Sequence, residues 1–296
     1  MVDKELEAVK ERYAEWRDSV RVILNEDGKG YMVRGDERVP EEIVDGVGDE
    51  HPFVLPRVTG LIDHVIHKGD GFYSQRPLKL AMGFLAEEHV KVRSSTIQEY
   101  EEIMMQASGI ASAHMEEAAN FGLKTHSILE DIQNSGMGER YRYRHADEHQ
   151  PAIDAWYEWM ENSGLEPIAS EQGLYYHDES SSNAPISFAG KADLIALDSH
   201  GIPVIVDYKT GKQHMNHALQ LSAYALALSY CGLGRFLDTH MAQKVRAVAL
   251  YLPKEEGKKI KAREVNDVSR QQQVFLYACK IRQWQSGRGK WKNWNG

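Results

Sequence analysis

The chain has 296 residues, 42% of them hydrophobic and 27% charged, with nine prolines. That length supports one large domain or two smaller ones around a sizeable core, and the composition excludes disordered and fibrous classes. No run of about 18 apolar residues occurs, and the opening MVDKELEAVKERYAEW is acidic and amphipathic where a signal or transit peptide is apolar or basic, so a cytoplasmic protein with no membrane partner is expected. Cys231 and Cys279 are too few for a four-thiolate iron–sulfur or zinc site and read as buried thiols. The net charge is −9, yet from residue 241 to the end thirteen basic residues face four acidic ones. This asymmetry suits a phosphate-binding tail on an acidic body, and equally a solvated basic face.

Helical periodicity marks residues 3–18, and 20–34 reads as a hairpin turning at Asp27-Gly28-Lys29-Gly30. A loop with Pro52, Pro56 and several glycines follows, then helices at about 77–92 and 95–134. These segments carry few catalytic residue types and read as a mainly helical accessory region, residues 1–110, packed on a core formed by residues 111–296. A Gly-, Arg- and Tyr-rich loop (135–144) leads to a helix over 149–162 closed by Ser163-Gly164. Strands are then expected at 167–177, 186–198 and 202–209, a helix at 213–231, a strand at 244–252, a short strand at 258–264 and a last helix at 266–286.

The segment Pro203-Val-Ile-Val-Asp207-Tyr-Lys209 begins as an apolar central strand and ends on a carboxylate and an ammonium, which a side-chain period of two aims at one face. Its loop to the preceding strand, Ser199-His200-Gly201, centres on residue 200 and sets Asp193 opposite Asp207. Opposed like charges destabilise a sheet unless a cation lies between them. The polar loop 178–185 centres near 182 and sets Glu171 opposite Asp193, so three carboxylates line up across three strands. Hard oxygen ligands in this number call for Mg²⁺ or Mn²⁺, one or two ions, and for phosphoryl chemistry. Lys209 would orient the attacking water or neutralise phosphate charge. By itself an Asp-X-Lys tripeptide is common and carries little.

With its neighbours included, the run Gly190-Lys-Ala-Asp193-Leu-Ile, then Asp207-Tyr-Lys209-Thr-Gly-Lys, then Gln220-Leu-Ser-Ala-Tyr224 resembles the RecB-type branch of the PD-(D/E)XK nuclease superfamily. Gly122-Leu-Lys-Thr-His126-Ser-Ile-Leu-Glu130 is similar to that branch's first motif, a helix with glycine four residues before a metal-binding histidine. The resemblance implies an α/β fold with an αβββαβ core, a mixed sheet flanked by helices. It implies that His126, Asp193, Asp207 and the main-chain carbonyl of Tyr208 bind metal, that Lys209 is the catalytic lysine, and that Gln220, Tyr224 and Glu171 complete the catalytic set. Ala192 stands where the superfamily's name has proline, and the iron–sulfur cysteines of some relatives are absent, so no such cluster is expected.

Gly122, His126 and Glu130 share a helical face, and Gln213, His217, Gln220 and Tyr224 form a polar stripe expected to face the cleft. His64 with His67, His145 with His149 and His214 with His217 have no third ligand at motif spacing and read as solvated or capping histidines. Arg282, Arg288, Lys290 and Lys292, interleaved with Trp284, Trp291 and Trp294, suit a nucleic-acid platform, although packing explains the tryptophans as well. The expected activity is metal-dependent exonucleolytic hydrolysis of DNA in repair, recombination or phage DNA processing, in a bacterial or phage-infected cell. A recombination or single-strand-binding protein is a partner such an enzyme can have. A structure-specific endonuclease on the same core is the alternative, and a non-catalytic nucleic-acid-binding protein a weaker one, since it gives no reason to keep Lys209 beside two carboxylates.

Overall fold

The computed structural model describes residues 2–24, 30–34, 55–65, 81–86, 96–135, 148–178, 185–231 and 244–286. Helix α1 (Val2–Ser19) buries Tyr13 and Trp16, with Val20 just beyond its end continuing the stripe. Strands β1 (Arg21–Leu24), β2 (Gly30–Arg34) and β3 (Leu55–Pro56) form an antiparallel sheet in that order. The hairpin expected over 20–34 is present, with its turn residues 27–29 outside the described residues. The expected loop around Pro56 needs correcting. Leu55 and Pro56 pair with β2, and helix α2 (Val58–Val65) follows, burying Val58, Leu61 and Ile62 at helical spacing. A two-residue strand shows no alternation, and proline reads as a breaker although a sheet edge tolerates it. Of the helix expected at 77–92, residues 81–86 are helical and the rest lie outside the described residues, as does most of the 135–144 loop.

Helix α3 (Ile97–Asn134) starts with a reciprocal capping box between Thr96 and Glu99 and runs unbroken for 38 residues, through residue 110. Its buried residues lie only toward its ends, Ile103 and Ala107 at one and Thr125, Ile128, Leu129 and Ile132 at the other. Helix α4 (Gln150–Ser163) has proline in its first turn and ends on Gly164 at φ 66°, a left-handed cap that glycine takes without strain. Thr125 Oγ1 lies 3.0 Å from His149 Nδ1 and Phe121 stacks on the same imidazole, tying α3 to α4.

The main sheet has the order β4-β5-β6-β7-β8, from β4 (Glu166–Asp178), β5 (Ile186–Leu197), β6 (Pro203–Lys209), β7 (Arg246–Tyr251) and β8 (Lys261–Glu264). Only β6 and β7 run parallel, and α5 (Met215–Tyr230) supplies the crossover such a pair needs. The αβββαβ core is thus α4-β4-β5-β6-α5-β7, followed by β8 and α6 (Val268–Ser286). One apolar layer packs α1, α2, the small sheet, α5 and α6 on one face; the other packs α3 and α4 on Leu194, Val206, Tyr208 and Leu250. Buried on both faces, β6 has the continuous apolar run its sequence announced.

Both loop-centring arguments give the observed register. Leu194 pairs with Val206, and Ser170 with Leu194 while Gln172 pairs with Ala192, so Asp193 is level with Asp207 and Glu171 with Asp193. The register shift of the β4–β5 ladder lies between Pro167 and Ala169, beyond the carboxylates. Gly201 at φ 74° closes the β5–β6 hairpin, where the Asp198 carboxylate accepts from the His200 and Ile202 N–H groups. Cys231 and Cys279 are both buried thiols. Among the described residues no helix is long and apolar enough to cross a membrane.

Candidate active site

The carboxyl end of β6 is where the two apolar layers part. Gly122 of α3 faces Thr210 there, and a Cβ at Gly122 would lie 3.0 Å from Thr210 Oγ1. A side chain at this position would have to displace the Thr210 hydroxyl. The close approach brings His126, one turn on, to the sheet, with its Nδ1 3.4 Å from Asp193 Oδ1. From β4, Glu171 completes a group: ligand atoms of His126, Glu171 and Asp193 all lie within 4.8 Å of one another. Glu171 has φ 49°, a left-handed conformation costly for a residue with a Cβ, and its carboxylate is paired with Lys191 Nζ at 2.7 Å.

Asp207 and Lys209 point to the α5 side of the sheet, while Tyr208 between them turns the other way. Its hydroxyl accepts from Trp156 Nε1 at 3.1 Å and from Gln133 Nε2 at 2.7 Å. The backbone N–H of Tyr208 donates to Asp193 Oδ2 at 2.5 Å. Asp207 stands outside the three-ligand group, its carboxylate turned toward α5. Gln220 organises that side: its amide oxygen accepts from Lys209 Nζ at 3.1 Å, while its NH₂ donates to Asp207 Oδ1 at 3.2 Å and to the Tyr224 hydroxyl at 3.1 Å. An ammonium on one side and a carboxylate on the other fix which way the amide faces. Tyr224 lies flat against β5, where a Cβ at Gly190 would come within 2.4 Å of its Cε1, so glycine is required there.

Asp207 is 2% exposed and Asp193 7%. Burial pushes the Asp207 carboxyl up to about 6, with the charge of Asp193 adding to the effect and Lys209 opposing it. Burial works against Asp193 too, but His126, Lys209 and the Tyr208 N–H outweigh it and hold that carboxyl below the usual range. Burial and Asp193 raise Glu171 against Lys191. His126 is raised because Asp193 and Asp207 outweigh its burial. Three negative groups are therefore crowded together, balanced by His126, Lys191 and Lys209. The Lys209 ammonium lies 2.5 Å from Asp207 Oδ2, a largely buried ion pair in which the cation meets that oxygen's charge. Two buried aspartates crowded with Glu171 beside the His126 imidazole make a donor set that fits a divalent cation bound mainly through oxygen.

A cleft of about 400 Å³ opens onto these groups, lined by His126, Glu130, Glu171, Asp193, Gln220 and Tyr224, and on its far wall by Tyr31, Arg57 and Thr59. Sequence reasoning gave no role to that far wall or to Lys191. The wall carried no signal, since its placement depends on the small sheet docking on β5. Lys191 carried one, two residues before Asp193 on the same strand. The α5 stripe divides: Gln220 and Tyr224 meet the site, while His217 Nδ1 lies 2.8 Å from the Tyr251 hydroxyl. Arg282 sits half-buried on α6, which packs against α5 and α2; Arg288, Lys290 and Lys292 lie outside the described residues, as do His67 and His145.

No curated protein matches the chain. A solved structure described as "Crystal structure of SSO0001" is similar over 45% of this chain and 57% of that one, at 14% identity and a TM-score of 0.29, too slight a likeness to bear on fold or function. The chain therefore spans little more than half the length of that protein. The model of the PD-(D/E)XK nuclease superfamily matches residues 98–291, a span that holds α3, the whole main sheet and every group at the mouth of β6. Membership of that superfamily implies a metal-dependent nuclease. With the fold, the acidic pocket and most of the chain in agreement, this protein belongs to the PD-(D/E)XK nuclease superfamily.

Proposed function

We propose that this protein is an exonuclease of the RecB-like branch, hydrolysing phosphodiester bonds of DNA in repair, recombination or phage DNA processing in the cytoplasm of a bacterial or phage-infected cell. The observation that carries the reading is Gln220 holding Lys209 and Asp207 together beside the His126–Glu171–Asp193 group. His126, Glu171 and Asp193, with Asp207 and the Tyr208 carbonyl, would hold Mg²⁺ or Mn²⁺. When bound, such an ion supplies Lewis acidity toward a phosphoryl oxygen and makes water a better acid. Lys209 presents a compact positive charge at the mouth of the site, suited to orienting the attacking water or offsetting charge on the phosphate. Gln220 and Asp207 fix where that charge stands, and Tyr224 fixes Gln220.

Residues 1–110 serve in this reading as an accessory wall over a core of 111–296, with α3 joining the two. Tyr31, Arg57 and Thr59 narrow the cleft from that side, which favours entry of a strand end. The test is end-labelled linear DNA and covalently closed circular DNA, single- and double-stranded, with Mg²⁺, Mn²⁺ or chelator. Mononucleotide release from linear substrate with the circle intact is expected. Cutting of the circle would replace the exonuclease with an endonuclease on the same core, and no cleavage of any substrate would overturn both.

A further inference from the structure

On β8, Lys261 and Arg263 are two residues apart and share a face; on β7, so do Ala249 and Tyr251. The pairing sets Asp207 beside Ala249 and Arg263 beside Ala249 in turn, and Lys209 beside Tyr251 and Tyr251 beside Lys261. Opposed residues share a face, so Lys261 and Arg263 stand on the same side of the sheet as Asp207 and Lys209, two strands over, at about 10 Å. A trough runs along this face. One part, about 730 Å³, is lined by Gln213, His217, Tyr251 and Arg263; the adjoining part, about 540 Å³, shares Gln213, Tyr251 and Arg263 and adds Lys261. Lys212, Lys254, Lys258 and Lys259 border the second part, with Glu255 beside Lys258 as the acid among them. His217 precedes Gln220 by about one turn on α5, so the trough leads toward the side of the cleft where Gln220 holds Lys209.

The two faces of β8 treat charge differently. On the opposite face, Arg246 holds Glu264 at 2.8 Å and Asp198 at 3.1 Å, a closed network. On the trough face, Lys261 and Arg263 make no ion pair among the described residues. Cations at a sheet edge often serve only to block pairing with another chain. That role does not select a face, and it does not explain why the cations aligned with Asp207 and Lys209 are the ones left without counter-ions.

Building on the nuclease reading, we infer that the β7–β8 face is the track for the single-stranded segment flanking the bond to be cut, with Lys261 and Arg263 on its phosphates and the Tyr251 ring, held by His217, as a platform for a base. Aromatic stacking beside a basic groove is how strands without a partner are held, whatever their sequence.

The test compares wild type with the double variant Lys261→Ala/Arg263→Ala, its counterpart Lys261→Gln/Arg263→Gln, and Lys280→Ala as a control on the exposed side of α6. Binding of a fluorescent single-stranded oligonucleotide is titrated in chelator over a range of salt, and steady-state cleavage is measured with Mg²⁺. Both double variants should bind about tenfold or more weaker, with the slope of log affinity against log salt reduced by about 1.4, from two contacts at ~0.7 each. KM should rise while kcat is kept, a duplex probe should lose less, and Lys280→Ala should match wild type. Should the alanine pair melt early, the glutamine pair decides. Unchanged affinity and slope, an equal loss in Lys280→Ala, an equal loss on duplex, or lower affinity at an unchanged slope would each overturn the track. Wild type that binds DNA but cleaves neither DNA nor RNA would overturn the nuclease reading instead, and the binding comparison would still decide the track.

Discussion

Replacing Asp207 by asparagine should make the metal-free protein more stable while abolishing cleavage. The carboxyl is pushed up to about 6 by burial and by Asp193, net of the help it receives from Lys209. A raised value means that the fold prefers the protonated form. That preference is a stabilising contribution fully present below pH ~4, and it is lost as pH rises through about 6. Against an unfolded value near 3.9, the gap of roughly 2 units at ~1.4 kcal/mol each puts the ionised form at a disadvantage of about 3 kcal/mol above pH 7. Asparagine keeps the shape and carries no charge, so it escapes this cost. At about 2 °C per kcal/mol for a chain of this size, melting in chelator at pH 8 should rise by roughly 5 °C. Magnesium should narrow the gap, since a ligand at 100 times its dissociation constant adds ~2.7 kcal/mol to the wild type and little to the variant. Scanning calorimetry at pH 4.5 and pH 8, with chelator and with Mg²⁺, reads all of this. A variant that melts at or below wild type in chelator at pH 8 would show that Lys209 needs Asp207 more than Asp207 is harmed by Asp193.

Other expectations follow from the same geometry. His126 binds a cation only as neutral imidazole and Asp207 only as carboxylate, so binding releases protons; apparent Mg²⁺ affinity, by calorimetric titration, should fall by at least about tenfold per pH unit below pH 6, and a flat profile there would remove these ligands from the site. Excess chelator should stop cleavage and added Mg²⁺ or Mn²⁺ restore it; full activity in chelator would sink the mechanism. Gln220→Ala should lower kcat about 10–100-fold, as groups that orient reacting residues do, with KM little changed; an unaltered kcat would mean that Lys209 is held by other contacts. Gly190→Ala drives a methyl into the Tyr224 ring, so a loss of about 1–3 kcal/mol in urea unfolding and a slower enzyme are expected; full stability would show that the ring moves away at no cost.

The hairpin carrying Asp193 and Asp207 was legible in the sequence because tight loops and a side-chain period of two leave few degrees of freedom. Centring on residue 200 and on residue 182 was enough to set Asp193 level with Asp207 and Glu171 with Asp193. The glycine before His126 also declared itself, although its reason, the contact with Thr210, needed the fold. Other features depend on meetings between distant segments. Leu55 and Pro56 become a strand only because β2 offers them a partner, and no local pattern announces a strand of two residues. Alternation along β4 places Glu171 on the right face but says nothing of its left-handed backbone or its pairing with Lys191. Likewise the level of Asp207 with Asp193 was legible, but not that Gln220, from a helix past the next loop, would engage its carboxylate.

The ladder between β5 and β6 ends at Leu194 and Val206, one step short of the two aspartates. At that step the Tyr208 N–H, which a continuing ladder would bond to a backbone carbonyl, is taken up by the Asp193 carboxylate. Asp193 thus closes off a strand as well as facing the cleft, and removing it strands a buried donor at a cost of about 1–3 kcal/mol. Asp207 has no such duty toward the backbone. A cleavage-dead protein for trapping DNA should therefore be made at Asp207, because a change at Asp193 would confound lost chemistry with a frayed sheet.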